Sequence, residues 1–323
     1  MLGLQFYGGP GMMTQGRSFF VRPSTGSDSN HGERPDRAVA TLAKALSLAV
    51  AGQNDTIYFY AESTAPGSAL TAAGCTDYQA ANLNWNKDLV HLIGVNACSF
   101  MEQRSRVAFA STFNSAAELF TLSASGCLIA NMEFFMGVAG TSPLGCMTVS
   151  GLRNRLINCN ISGFGGATHA NDIASAYSLT LNGAQANTFD DCVIGLNTIL
   201  LGNNINAQIY ASGAATRNLF RRCRVYTWSS HATNNQFLRI GTAGIDRFLE
   251  FEDTLFHAFA LGGGTGLTEG MTVTSDCGGD VILSGRTSFV NCTYPNASAA
   301  GRVFVTGPAP TAATSALAVA TTH

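Results

Sequence analysis

Charge is what this sequence has least of. Lys, Arg, Asp and Glu make up 12% of its 323 residues, about half the share of an ordinary soluble domain. The 18 basic and 20 acidic residues leave a net charge of −2, so nucleic acid or an acidic membrane surface finds no electrostatic footprint. Proline is scarce, 8 against 35 glycines, which suits many turns and few helices. The nine cysteines are odd in number and include no Cys-x-x-Cys pair, which argues against a disulfide framework and against zinc. No run reaches the ~20 apolar residues of a membrane helix. Met1 to Gln15 lacks the basic-then-apolar pattern of a signal peptide. His-Glu-x-x-His, Gly-x-Ser-x-Gly and Gly-x-x-x-x-Gly-Lys are all missing. The expectation is a chain that folds in a reducing cytosol, with no metal, no cofactor, and no nucleic-acid or membrane partner.

What is present is a repeat. Leu156-Ile157-Asn158-Cys159-Asn160-Ile161, Phe189-Asp190-Asp191-Cys192-Val193-Ile194 and Phe220-Arg221-Arg222-Cys223-Arg224-Val225 share one pattern. Ile129 to Phe134, Phe251 to Phe256 and Phe289 to Tyr294 extend it. The shared position falls at 132, 159, 192, 223, 254 and 292. Apolar residues occupy the first, fourth and sixth places, the fourth being small or soft. Asn or Asp often holds the third, where a left-handed bend is best tolerated. Arg222 departs from that preference, so a different bend is expected there. Strands ending in glycine turns, such as Leu179-Thr180-Leu181-Asn182-Gly183, precede the units. Strand, turn, strand, bend, strand is one coil of a solenoid, and stacked coils bury each inward row against its equivalents. The fold class read from this is all-β, a right-handed parallel β-helix over residues 88–305.

Around that body lie three further segments. Residues 1–18 form an arm whose Phe6, Tyr7, Met12 and Met13 are expected to anchor the chain to a partner. Residues 19–87 form a capping strand-helix-strand segment, with a helix from Arg37 to Ala51 carrying Val39, Leu42, Leu46 and Val50 on one face. Residues 306–323 are an Ala/Thr/Pro-rich tail.

Within the capping segment, Phe19-Phe20-Val21-Arg22-Pro23-Ser24-Thr25-Gly26-Ser27-Asp28-Ser29-Asn30-His31-Gly32 and Ala40 to Leu46 carry a resemblance. They resemble the opening of pectate-lyase-like β-helix proteins, many of which bacteriophages carry as tailspikes and other virion parts. The resemblance implies a strand, a Gly-Asp-Asn turn and a helix that caps the solenoid. For activity it implies little, because the same opening introduces enzymes and inert structural proteins. Taken with the low charge, the modest length and the lack of a convincing acid cluster, the function expected is a non-enzymatic virion protein, a capsid decoration or spike. Such a protein would assemble as a homotrimer on other virion proteins of capsid or tail. A polysaccharide depolymerase or a carbohydrate-binding adhesin, with host surface polysaccharide as partner, is the alternative.

Two groups of residues could carry chemistry. Asp190 and Asp191 align with Arg221 and Arg222 one coil on, and with Glu252 and Asp253 the coil after. Asp190, Asp191, Glu252 and Asp253 are the catalytic candidates if the chain is an enzyme, since glycosidases need paired acids ~5–10 Å apart. The bland reading of these ladders is charge pairing between adjacent coils. Asp172, Tyr177, Trp228 and His231 sit in long connections on one expected flank, a possible glycan or inter-subunit surface. Phe164, Trp228 and Phe259 each stand five residues past the shared position, which suggests a stacked aromatic row. The cysteines at 159, 192 and 223 read as a ladder of small hydrophobes.

Overall fold

In the computed structural model, residues 16–65, 67–115, 117–137, 145–164, 174–274, 276–294 and 302–306 are described. The Phe6, Tyr7, Met12 and Met13 arm, Asp172 and the tail from 307 lie outside them. Three parallel sheets of ten, eight and seven strands run the length of the molecule. Each coil visits them in order. For example, Arg155–Ile157 lies in the first sheet, Asn160–Ser162 in the second and Tyr177–Asn182 in the third. The molecule is a parallel β-helix. Its stacking begins upstream of residue 88: Thr56–Tyr60, Thr76–Gln79 and Leu83–Trp85 already form a coil in the same three sheets, and Ser18–Val21 adds one more strand to the first.

Register explains the core. Ile57, Leu92, Ile129, Leu156, Phe189, Phe220, Phe251 and Leu283 are successive partners in the first sheet, and all are buried. Where the row is aromatic the rings stack, Phe189 on Phe220 at 4.4 Å and Phe220 on Phe251 at 4.9 Å. The bends between first and second sheets are left-handed at Asn131, Asn158, Asp191 and Asp253, with φ between 50° and 59°. Arg222 takes the same bend at φ 53°, contrary to the expectation for a long side chain. Its two hydrogen bonds to Asp191, at 2.9 and 2.7 Å, hold it there.

The residues after these bends form a row of donors. The thiols of Cys159, Cys192 and Cys223 and the hydroxyl of Thr254 point to the carbonyls of Ile129, Leu156, Phe189 and Phe220 in the coil below. Thr287 continues the row with a 2.9 Å bond to the Phe251 carbonyl. The sequence expectation placed Cys292 there, and this is corrected: Phe289 pairs with Phe256 in the second sheet, and Cys292 pairs with Leu267 in a separate two-stranded sheet. All nine cysteines are free.

A second ladder lies at the turn into the first sheet. The side-chain carbonyls of Asn154, Asn187 and Asn218 accept from the backbone N–H of Cys127, Asn154 and Asn187. Their amides donate to the carbonyls of Ala124, Gly151 and Ala184. All three side chains are buried.

The cap differs from the expected helix over 37–51. Pro35–Arg37 is a single 3₁₀ turn, and the α-helix spans only Leu42–Leu48. Val39 bridges to Val21 as extended chain, and Val50 is exposed. Thr41 caps the helix, and the Asp28 carboxylate accepts from the N–H groups of Ala40 and Thr41. That side-chain cap competes with further helical turns upstream. Leu42, Ala45 and Leu46 enter the solenoid core. Asp77 sits in the row that Val107, Phe134 and Ile161 fill in later coils, and its carboxylate accepts from Leu42 N at 2.7 Å.

Burial pushes the Asp77 carboxyl up to about 6, against the pull of its Leu42 and Gln79 hydrogen bonds. Unfolded aspartate titrates near ~3.9, so between those values the native state holds a proton that the unfolded chain has released. Stability therefore falls as pH rises from about 4 to about 6, and the penalty is fully present above that window. Asp77→Asn keeps an acceptor for Leu42. It should flatten this pH dependence and raise the melting temperature near neutrality, by an amount equivalent to on the order of 2 kcal/mol. A melting-temperature profile over pH 4–8 that matches the wild type would refute the assignment.

Candidate functional site

The outer face of the first sheet carries the acids singled out from sequence. Register places Asp190, Arg221 and Glu252 in one column, as expected. Asp190 is 1% exposed because guanidiniums from the coils on either side fold over it. Its Oδ2 accepts from Arg155 at 2.7 Å and its Oδ1 from Arg221 at 2.7 Å. Asp191 receives both forks of Arg222, while Asp253 accepts the backbone N–H of Arg286 at 2.8 Å. The hydrogen bond to Asp190 raises the pKa of Arg221, and the bond to Asp191 raises that of Arg222. Glu252 stands two rungs from Asp190, ~10 Å at β-sheet spacing, with Arg221 on the rung between. The four candidates are thus brought to one region, each acid of the central pair already engaged by arginine.

A second polar centre was missed. Glu133 and Arg106 are partners in the second sheet and pair at 2.7 Å. Burial raises the Glu133 pKa, and the Arg106 charge opposes that shift. The signal was available: Glu133 follows the shared position Met132 as Asn160 follows Cys159. Sequence gave no sign of its partner, because the strand Arg106–Phe109 precedes the recognised repeat.

The flank between second and third sheets gathers the other candidates. Trp228 ends a second-sheet strand and Tyr177 opens a third-sheet strand. Trp228 Nε1 donates to the Leu261 carbonyl at 2.6 Å. Gly264 packs so close to the indole that a Cβ there would collide with it, while Gly262 and Gly263 take positive φ values of 56° and 90°. Tyr177 stacks on Tyr210 at 4.3 Å. His231 lies in the loop after Trp228, its Nδ1 3.1 Å from Ser230 Oγ. The expected aromatic row is only partial. Trp228 and Phe259 are register partners, but Phe164 packs with Ala176 and Leu201. Asn197 holds the same position in the intervening coil.

Among the described residues, no three His, Cys, Asp or Glu side chains converge as metal ligands, and no helix is long and apolar enough to cross a membrane. A depression of about 270 Å³ lined by Ala80, Ala110, Thr112, Phe113, Asn114 and Ser115 holds no ionisable group.

This geometry defines a parallel β-helix, similar in fold to pectate lyases. Pectate lyase Pel9A superposes with a TM-score of 0.59 over 91% of this chain and 69% of its own, at 14% identity. A pectin methylesterase variant solved with a hexasaccharide superposes at 0.57 over 94% and 92%, at 13% identity. These likenesses establish the fold alone. A Geobacillus virus E2 protein, ORF18, aligns over 80% of this chain and 57% of its own at 12% identity, with a TM-score of 0.31. No protein-family model and no curated protein sequence matches the chain.

Proposed function

We propose that the chain is a non-enzymatic structural protein of a bacteriophage particle, a capsid decoration or spike. In this reading it assembles as a homotrimer on other virion proteins after folding in the bacterial host cytoplasm. One observation carries the non-enzymatic reading: the central acids of the ladder are spent on arginines of adjacent coils, with Asp190 sealed between Arg155 and Arg221. An acid in that position holds coils together and presents no free oxygen to a substrate. The phage context rests on the resemblance of the Phe19 to Gly32 opening. A polysaccharide-cleaving or polysaccharide-binding role is the second reading, favoured by the aromatic flank at Trp228.

The deciding experiment compares wild type with Asp190→Asn and Asp191→Asn, singly and together, on host surface polysaccharide and on polygalacturonate. No chain shortening is expected from the wild type. Cleavage by the wild type that the double variant loses would overturn the reading. On stability the single variants should separate. Asp190→Asn is expected to cost ~2–3 kcal/mol, somewhat less than a fully buried pair because its arginines are partly exposed. Asp191→Asn should cost under ~1 kcal/mol, its pair being half-exposed.

A further inference from the structure

The outer face of the second sheet has a gap in its ladder of side chains. Register sets Tyr78, Ala108 and Phe135 on successive rungs there, with Thr76, Arg106 and Glu133 beside them. They alternate along their strands with the core residues Val107 and Phe134, so they share the outward face. Tyr78 and Phe135 thus stand two rungs apart, ~9.6 Å, with only a methyl group between them. Inside the solenoid the matching space between Phe189 and Phe251 is filled by Phe220, at 4.4 and 4.9 Å from its neighbours. Tyr78 is 50% exposed. At one end Arg106 bounds the gap, lying over the Phe135 ring at 5.4 Å and fixed by its 2.7 Å bond to Glu133. At the other end Ala80 and Ala110, two residues on from Tyr78 and Ala108, lead into the depression of about 270 Å³. Phe113 in its wall is stacked on Phe109 at 3.5 Å.

The polar groups around this gap point to a ligand and to its class. Thr76 Oγ1 lies beside Arg106, and Asn160 Oδ1 and Ser162 Oγ lie on the rung after Glu133 and Phe135. All three atoms are buried and have no hydrogen-bond partner among the described residues. Buried polar atoms are normally paired, so three of them bordering one gap call for a partner. They are neutral, and the two hydroxyls both donate and accept. The charges on this face cancel: Arg106 pairs with Glu133, and Glu102 and Arg104 act on Glu133 in opposite senses. An ionic ligand therefore finds no spare countercharge, and an aliphatic one leaves the hydroxyls and the amide unpaired. A ring with apolar faces and a hydroxylated rim meets both demands. Over Ala108 it stands one rung from Tyr78 and one from Phe135, and its rim hydroxyls pair on either side. We propose that this gap binds a neutral pyranose unit of a glycan, with Ala108 as its floor. The depression, close to the lower end of the ~300–1,000 Å³ range of ligand pockets, holds the neighbouring unit. This surface lies four rungs from the Trp228 strand and goes beyond the structural role proposed above.

The test is calorimetric titration of the full chain with maltohexaose, cellohexaose, mannohexaose and chitohexaose. At least one should bind with Kd below ~1 mM, and polygalacturonate should not compete. Ala108→Phe fills the gap with the protein's own ring. It should abolish binding while the circular dichroism spectrum stays that of the wild type. Tyr78→Ala removes one wall at a half-exposed position and should weaken binding by at least ~10-fold; it decides the matter if Ala108→Phe does not fold. Phe304→Ala, at an exposed ring on the last strand of the first sheet, should bind as the wild type does. No binding of any of the four sugars, equal competition by polygalacturonate, or wild-type affinity in a folded Ala108→Phe or in Tyr78→Ala would overturn the proposal. Release of shorter sugars from a hexaose would sink the non-enzymatic reading while leaving this one standing, so the two failures are distinguishable.

Discussion

Asn187→Ala is expected to destabilise the centre of the solenoid by ~3–5 kcal/mol, although no exposed atom changes. The Asn187 side chain accepts from Asn154 N at 2.9 Å and donates to the Gly151 carbonyl at 3.1 Å and to Asn218 Oδ1 at 3.0 Å. Alanine leaves a buried N–H and a buried carbonyl without partners. Each such orphan costs ~1–3 kcal/mol, and a cavity adds to that. Because each coil contacts only its neighbours, the loss should appear as early local opening around residues 151–190, with the ends retained longer. Hydrogen exchange resolved by segment is the direct measurement. Uniform protection, or a melting temperature within experimental error of wild type, would show that the ladder adds little.

Phe220→Ala should cost a similar ~3–5 kcal/mol by a different route. The ring is fully buried between Phe189 and Phe251, at interplanar angles of 3° and 19°. Truncation removes contacts on both faces and leaves a void that the flanking strands cannot close without breaking their ladders. Phe220→Leu is the informative partner, since Leu156 and Leu283 occupy the same row. It should cost about 1 kcal/mol. Equal losses for leucine and alanine would mean that ring stacking, and not filled volume, stabilises the row. Chemical unfolding of both variants against wild type gives the comparison.

Much of this interior was legible in the sequence, because a solenoid repeats its rules. Asn158 and Asp191 announced left-handed bends through their side chains, and the residues after them announced a buried row. The asparagine ladder was equally written there and went unread: Asn154, Asn187 and Asn218 stand five residues before Cys159, Cys192 and Cys223. Cys292 misled for a physical reason. Asn291 makes the same left-handed bend, at φ 53°, so the local pattern was real. Which sheet a strand joins, however, is decided by the coil beneath, and a six-residue window does not contain that coil. The capping helix was overextended because apolar spacing cannot distinguish Val39 in a β-bridge from Val39 on a helix. The candidate site divided similarly. The vertical alignment of Asp190 with Arg221 followed from repeat length alone. The second arginine, Arg155, belongs to a different column, and only the side-chain reach of the folded state reveals it.

The row of sulfur donors has a consequence for thiol chemistry. Eight of the nine cysteines are buried. Burial pushes Cys127 up to about 11; burial also raises Cys192 well above its ordinary value, and its neighbours Cys159 and Cys223 add to that rise. A thiol must ionise and be reached before it can be alkylated or exchanged. Cys98 alone is exposed. Toward a thiol-alkylating reagent the native molecule is in effect a one-thiol protein, and a label placed on Cys98 reports on a loop while the other eight thiols stay silent until the coils come apart.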